Sequence, residues 1–158
     1  MPLQIRRIVT GHDRDGRAVV EIDEIARNVT SRRSAHASCV IWSTGSFPSD
    51  NAATEDGGLR AVASTDPGGT VFRIVEFAPG VAPRNHRTES IDYAVVMAGE
   101  IDMEIDGASV HLKAGDVLVQ RGTIHNWVNP GSAPCVIACV LIAAHPVERA
   151  GRVLGASG

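Results

Sequence analysis

The strict two-residue alternation of EIDMEID, residues 100–106, constrains this chain most. Ile101, Met103 and Ile105 fall on one side of an extended strand, and Glu100, Asp102, Glu104 and Asp106 fall on the other. Successive side chains of a strand point to opposite faces, so this pattern buries one face and wets the other. Asp106-Gly107 follows as a hairpin turn signal. SVHLK then alternates back with Val110 and Leu112 inward, which puts His111 and Lys113 on the outer face, across from Asp102 or Glu104. KAGD turns the chain again, VLVQ is a strand with Val117 and Val119 inward, and RGTIHNWVN continues it. After the NPGSAP turn, CVIACVLIAA is apolar on both sides and reads as a deeply buried strand. Upstream, TVFRIVEF is a strand and APGVAP a turn. Six or more short strands at roughly 8–12-residue spacing predict an all-β antiparallel sandwich or barrel.

Before residue 70 the pattern is looser. RAVVEI and SCVIWST read as strands, and HDRDG as a turn rather than a calcium loop, because the full ligand series is missing. EIDEIARNV (21–29) and AAHPVERAGRVL near the C-terminus can each form a short helix. Residues 46–69, rich in Gly, Asp, Pro and Ser, form a long connection of the kind that serves as a lid or docking arm. The expected organisation is one domain: N-terminal strands and a polar loop (1–69) packed on a barrel (70–143), with a tail at 144–158.

A length of 158 residues suffices for one buried core. The formal net charge is −3 with mixed signs, and no Lys/Arg stripe marks a nucleic-acid footprint. No apolar run approaches the roughly 18 residues of a membrane span, and the N-terminus lacks the apolar core of a signal peptide. The three cysteines, Cys39, Cys135 and Cys139, are unclustered and set among apolar neighbours. They read as buried thiols of a cytoplasmic protein. No Ser/His/Asp order, phosphate loop or Cys-x-x-Cys pair supports acyl transfer, nucleotide binding or a zinc finger.

The chemistry-bearing stretch is NHRTESIDYAVVMAG, residues 85–99. On one straight strand His86 and Asp92 would stand roughly 20 Å apart at about 3.3 Å per residue, too far to share a metal. A shared site needs a turn between them, and Thr88-Glu89-Ser90 is polar enough to make one. His125, in GTIHNWVN, comes from a separate hairpin 33 residues after Asp92. Asp92 can equally cap the turn through a backbone N–H.

These residues carry a resemblance. Gly80, five residues, His86, one residue, Thr88, three residues, Asp92, six residues and Gly99 match the spacing of the first cupin motif. Gly122, two residues, His125, three residues and Asn129 match the end of the second, with Gln120 where that motif carries proline. Over residues 70–143 the chain thus resembles a single-domain cupin, a small double-sheet jelly roll. The family's metal is held by two histidines of the first motif, its glutamate, and the histidine of the second motif. Carried over, those positions are His86, Thr88, Asp92 and His125. The resemblance therefore implies a divalent metal (Fe, Mn, Zn or Ni) on His86, Asp92 and His125, with Thr88 as a hydrogen-bonding neighbour. It implies Tyr93 as a proton-moving residue and Met97, Met103 and Trp127 as pocket walls. The activity implied is oxygenation, isomerisation, decarboxylation or dehydration and cyclisation of an oxygenated aromatic, polyketide-like or keto compound. A non-catalytic ligand-binding or sensor module is the alternative. Small cupins commonly pair, so a homodimer is expected, with no nucleic-acid or membrane partner.

Overall fold

A computed structural model describes residues 3–158. The N-terminal hairpin pairs β1 (Arg6–His12) with β2 (Ala18–Ile25). Its turn is closed by Asp13, whose Oδ1 accepts the backbone N–H groups of Asp15 and Arg17, each at 2.9 Å. Short β3 (Val29–Thr30) and long β4 (His36–Thr44) follow, and after the polar connection come β5 (Thr70–Phe77), β6 (Ser90–Ala98) and β7 (Glu100–Ile105). The chain continues through β8 (Ala108–Lys113), β9 (Val117–Arg121), β10 (Asn126–Val128), β11 (Cys135–Ala143), β12 (Val147–Arg149) and β13 (Arg152–Leu154). Every named pairing is antiparallel.

Two sheets make the body. One runs β3-β4-β5-β11-β6-β9, and the other runs β10-β7-β8. They face each other over one core in which Val75, Phe77, Ala94, Val96, Cys135 and Ile137 of the larger sheet meet Ile101, Met103, Leu112 and Trp127 of the smaller. This is the all-β jelly-roll arrangement that the alternation predicts. Ile101 is fully buried at 0% exposure, and such a side chain contributes about 1.5–3 kcal/mol through the water it no longer orders. At the β6–β7 corner Gly99 has φ +74°, and a Cβ there would lie 2.5 Å from the Pro134 carbonyl oxygen, so only glycine fits.

Four expectations are corrected. Among the described residues there is no helix. Residues 21–25 lie in β2 because Arg6 and Arg7 of β1 draw Asp23 and Glu24 into cross-strand ion pairs at 2.7 and 2.6 Å. The C-terminal segment instead folds as the β12–β13 hairpin, turned by Ala150-Gly151 with φ +50° and +71°. Val117 and Val119 face outward, Val117 at 74% exposure. They oppose Val95 and Tyr93 of β6, while Leu118 and Gln120 point in. Both faces of VLVQ carry apolar residues, so its pattern does not set the direction. Val110 does stand opposite Met103, but on an edge strand, and it stays exposed.

The long connection is fastened at several points, among them Gly57 and Gly58, whose carbonyls accept from Ser43 and Asn28. Arg7, only 2% exposed, donates from Nη1 and Nη2 to the two Asp56 oxygens at 2.7 Å each. Arg73 of β5 donates from Nη2 to the carbonyls of Ala63 and Ser64 at 2.8 and 2.9 Å. Residues 63 and 64 are thereby drawn over the mouth of the larger sheet, where Ser64 joins the cavity wall.

Candidate functional site

A cavity of about 100 Å³, open to solvent, lies between the sheets. Its floor is apolar, with Val75, Phe77, Ala94, Leu118, Trp127 and Leu141. Two groups of polar side chains face it.

The first group gathers where the motif hairpins meet. His86 and His125 form an isolated antiparallel bridge, each N–H donating to the other's carbonyl at 3.0 Å. Directly opposed residues send their side chains to one face, and the two rings lie 4.1 Å apart between centroids. Gly122, with φ +59°, turns the chain just ahead of His125, and Asn126 Oδ1 accepts the Arg84 N–H at 2.8 Å on the other side. Asn129, the last residue of the second motif, donates to the carbonyls of Phe77 and Ala133 and so fixes the turn rather than the site.

The tautomers follow from the carbonyls. His86 Nδ1 lies 3.0 Å from the Arg84 oxygen, and His125 Nδ1 lies 3.1 Å from the Thr123 oxygen. A carbonyl only accepts, so each Nδ1 carries the proton and each Nε2 keeps its lone pair. The Gln120 amide nitrogen lies along the ring edge of His125, 2.7 Å from Nδ1 and 3.2 Å from Nε2, and with Nδ1 protonated it donates to the Nε2 lone pair. Burial, then the neighbouring His86, pushes the His125 pKa down to about 4. Burial also lowers that of His86. Both rings are therefore neutral at neutral pH.

Asp92 begins the inward series of β6 but is held apart. Ser90 Oγ stands 2.5 Å from Asp92 Oδ1 and 2.9 Å from Thr88 Oγ1. One hydroxyl has one proton, so with Asp92 ionised Ser90 donates to the carboxylate and accepts from Thr88. Burial raises the Asp92 pKa, against the Ser90 hydrogen bond and the Arg73 charge.

The second group was not foreseen. Arg33, His36, Arg73 and Arg84 line the same cavity. Arg33 Nη1, Arg73 Nε and His36 Nδ1 are buried without a hydrogen-bond partner. Burial first, then the charges of Arg33, Arg73 and Arg84, takes the His36 pKa down to about 4. A signal for one member was present in TVFRIVEF, because Arg73 shares an inward face with Val71, Val75 and Phe77.

The predicted residues divide accordingly. His86, Thr88, Asp92, His125 and Trp127 line the cavity. Tyr93, expected to move a proton, is a correction. It sits between inward Asp92 and Ala94 on β6, so it points out, 48% exposed, and its phenol cannot reach a ligand in the cavity. Met97 lies exposed at the β6 bulge, and Met103 is packed in the core rather than on the cavity wall. The metal centre expected from the resemblance also meets a limit. Two Nε2 lone pairs suit a divalent ion, but among the described residues no three His, Cys, Asp or Glu side chains gather to hold one. Three guanidinium groups line the same cavity. These donors, as placed, do not fit a tightly held divalent cation.

Facing sheets with paired histidine hairpins at the mouth define a cupin-type barrel. The Cupin domain model matches residues 73–141. Oryzines biosynthesis cluster protein J of Aspergillus oryzae is 34% identical, across 98% of this chain and 91% of that protein. Cupin-domain-containing oxidoreductase fogC of Aspergillus ruber is 33% identical, across 94% and 77% respectively. Phomopsin biosynthesis cluster protein C' of Diaporthe leptostromiformis is 52% identical over 56% of this chain, and the match spans 48% of that longer protein. The chain belongs to the cupin family.

Proposed function

We propose that this chain is a small-molecule enzyme of the cupin type. Its His86–His125 pair works as the acid–base element on an oxygenated aromatic, polyketide-like or keto substrate. One observation carries the reading: two neutral imidazoles stand 4.1 Å apart in one cavity. Each has its Nδ1 proton directed at a carbonyl; Nε2 of His86 is bare, and Nε2 of His125 faces the Gln120 amide. A bare imidazole nitrogen takes a proton from carbon or oxygen, and a buried pair this close holds one added proton at a time. The pair then suits enolisation, which underlies isomerisation, decarboxylation and dehydration next to a carbonyl. Gln120 is a positioning residue that holds the edge of His125. Relatives whose names place them in the phomopsin and oryzines biosynthesis clusters support a natural-product substrate, and those named oxidoreductases support an enzyme over a binding module.

The test uses exchange, which needs no known product. Aromatic and polyketide-like ketones and β-keto acids are incubated with the protein in D2O, and deuterium at the carbon beside the carbonyl is read by mass spectrometry. Incorporation above buffer, lost in His86→Ala and in His125→Ala, supports the enzyme. Ligand binding with no exchange in any compound returns the chain to the binding-module class. A homodimer remains our proposal for assembly, motivated by exposed Ile8, Val20 and Ile25 on the N-terminal hairpin. Sedimentation as a monomer at micromolar concentration would remove it.

A further inference from the structure

The cavity offers hydrogen-bond capacity of opposite kinds at its two walls. The histidine wall has lone pairs left over on Nε2 of His86 and on the carboxylate of Asp92, whose own partner is Ser90. The other wall has N–H groups left over. Arg33 Nη1 and Arg73 Nε are buried, cationic and without a partner, and His36 Nδ1 beside them is unpartnered as well. Arg73 cannot swing away to find a partner, because its Nη2 is tied to the Ala63 and Ser64 carbonyls. Arg33 lies 6.0 Å from the Phe77 ring centroid, and the His36 ring meets Phe77 edge-on at 5.6 Å. Among the described residues that line the cavity there is one carboxylate, Asp92, which Ser90 already engages. Buried donors left open in this way are stabilised when a ligand supplies the acceptor.

We infer that the Arg33–Arg73–His36 wall is a carboxylate subsite, and that the substrate is an acid carrying a hydroxyl or enol at its other end, which donates to the histidine pair. A planar carboxylate matches guanidinium donors in geometry and charge. The apolar floor of Phe77, Leu118 and Trp127 between the walls takes a ring or a conjugated chain. The inference rests on the cavity being the substrate site proposed above, and it names the class of molecule that enters.

The probe is 4-hydroxybenzoate, compared with neutral 4-hydroxybenzamide by calorimetry at neutral pH. The acid should bind the full chain about tenfold more tightly or better, since hydrogen bonds to charged groups are worth at least that factor. Arg33→Gln should erase the preference by weakening the acid alone, and Arg33→Lys should keep most of it. A thermal melt shows whether Arg33→Gln is folded. If it is not, loss of the preference in the folded parent at raised salt takes its place. Equal binding of acid and amide, no binding of the acid, or an acid preference untouched in folded Arg33→Gln overturns the inference. Failure of the acid–base reading registers separately, because His125→Ala should lose exchange while retaining the acid-over-amide preference.

Discussion

The histidine wall and the arginine wall sit in one cavity, yet one is finished by the protein and the other is left open. On the first, hydrogen bonds run from ring N–H to carbonyl and from Ser90 to Asp92, and the remaining capacity accepts. On the second, Arg33 Nη1 and Arg73 Nε are buried with no acceptor. The difference teaches where each task lies. Groups whose protons are fixed in advance suit proton transfer, because the tautomer needs no rearrangement. Groups left without partners suit capture, because their desolvation has already been borne in folding and a ligand restores what was lost.

The largest expected effect separates the walls by chemistry. Replacing His125 or His86 by Gln should cut exchange by about 10²–10⁴-fold, the usual contribution of a positioned acid or base. The same changes should leave the preference for 4-hydroxybenzoate over its amide within about threefold, because the hydroxyl end that meets the histidines is common to both probes. Comparable losses of that preference in the histidine and arginine variants would erase the distinction between the walls.

The next effect is on stability, and both walls contribute with the same sign. His36 and His125 have pKa values depressed to about 4 from 6.5. Protons therefore bind the unfolded chain more readily. The stability these groups protect is complete above about pH 6.5 and is lost as pH falls through about 4. Each contributes at most about 3 kcal/mol of that loss, at 1.36 kcal/mol per unit. Asp92, with its raised value, works the other way, its contribution fading as pH rises through the folded pKa. Thermal melts from pH 7 to pH 4 should show a falling midpoint. Salt sharpens the comparison. Arginine charges are the second cause at His36, whereas the second cause at His125 is the neighbouring imidazole. In an NMR titration, 0.5 M salt (a Debye length of about 4 Å) should therefore raise the His36 value more than the His125 value.

Smaller still is the effect of loosening one ring. Gln120→Leu removes the amide that touches both nitrogens of His125. One hydrogen bond of about 1–1.5 kcal/mol corresponds to roughly a tenfold fall in exchange. The fall should appear in turnover rather than affinity, because the arginine wall is untouched. Chelation should move neither quantity by more than about twofold, because among the described residues no third donor joins the two imidazoles.

How much of this was legible in the sequence follows the same division. The alternation of residues 100–106, the DG turn and the spacing from Gly80 to Gly99 announced the sheets and the histidine hairpins, because strand period and turn chemistry are local. The His111–Asp102 contact at 2.7 Å was equally local. The arginine wall was not visible in this way. Arg33 and His36 sit by β4, Arg73 on β5 and Arg84 before His86, and they meet only because β4 pairs with β5. The direction of VLVQ was hidden because both its faces are apolar. The C-terminal hairpin was hidden because Ala150 in a positive-φ turn carries no signal of its own.

The smallest expected effect falls on a residue that sequence reasoning placed at the site. Tyr93 opposes Val119 on the outer face of the larger sheet, with Val95 and Val117 opposed next to it and all four side chains exposed. Its neighbours Asp92 and Ala94 hold the inward positions. Removing the phenol oxygen therefore takes nothing from either wall. Tyr93→Phe should keep exchange and acid affinity within about twofold and stability within about 0.5 kcal/mol, as for an exposed surface position. A loss of exchange beyond tenfold, with the fold intact by circular dichroism, would mean that β6 presents its other face to the substrate. It would also exchange the roles of Asp92 and Tyr93, because a one-residue slip reverses every side chain on a strand.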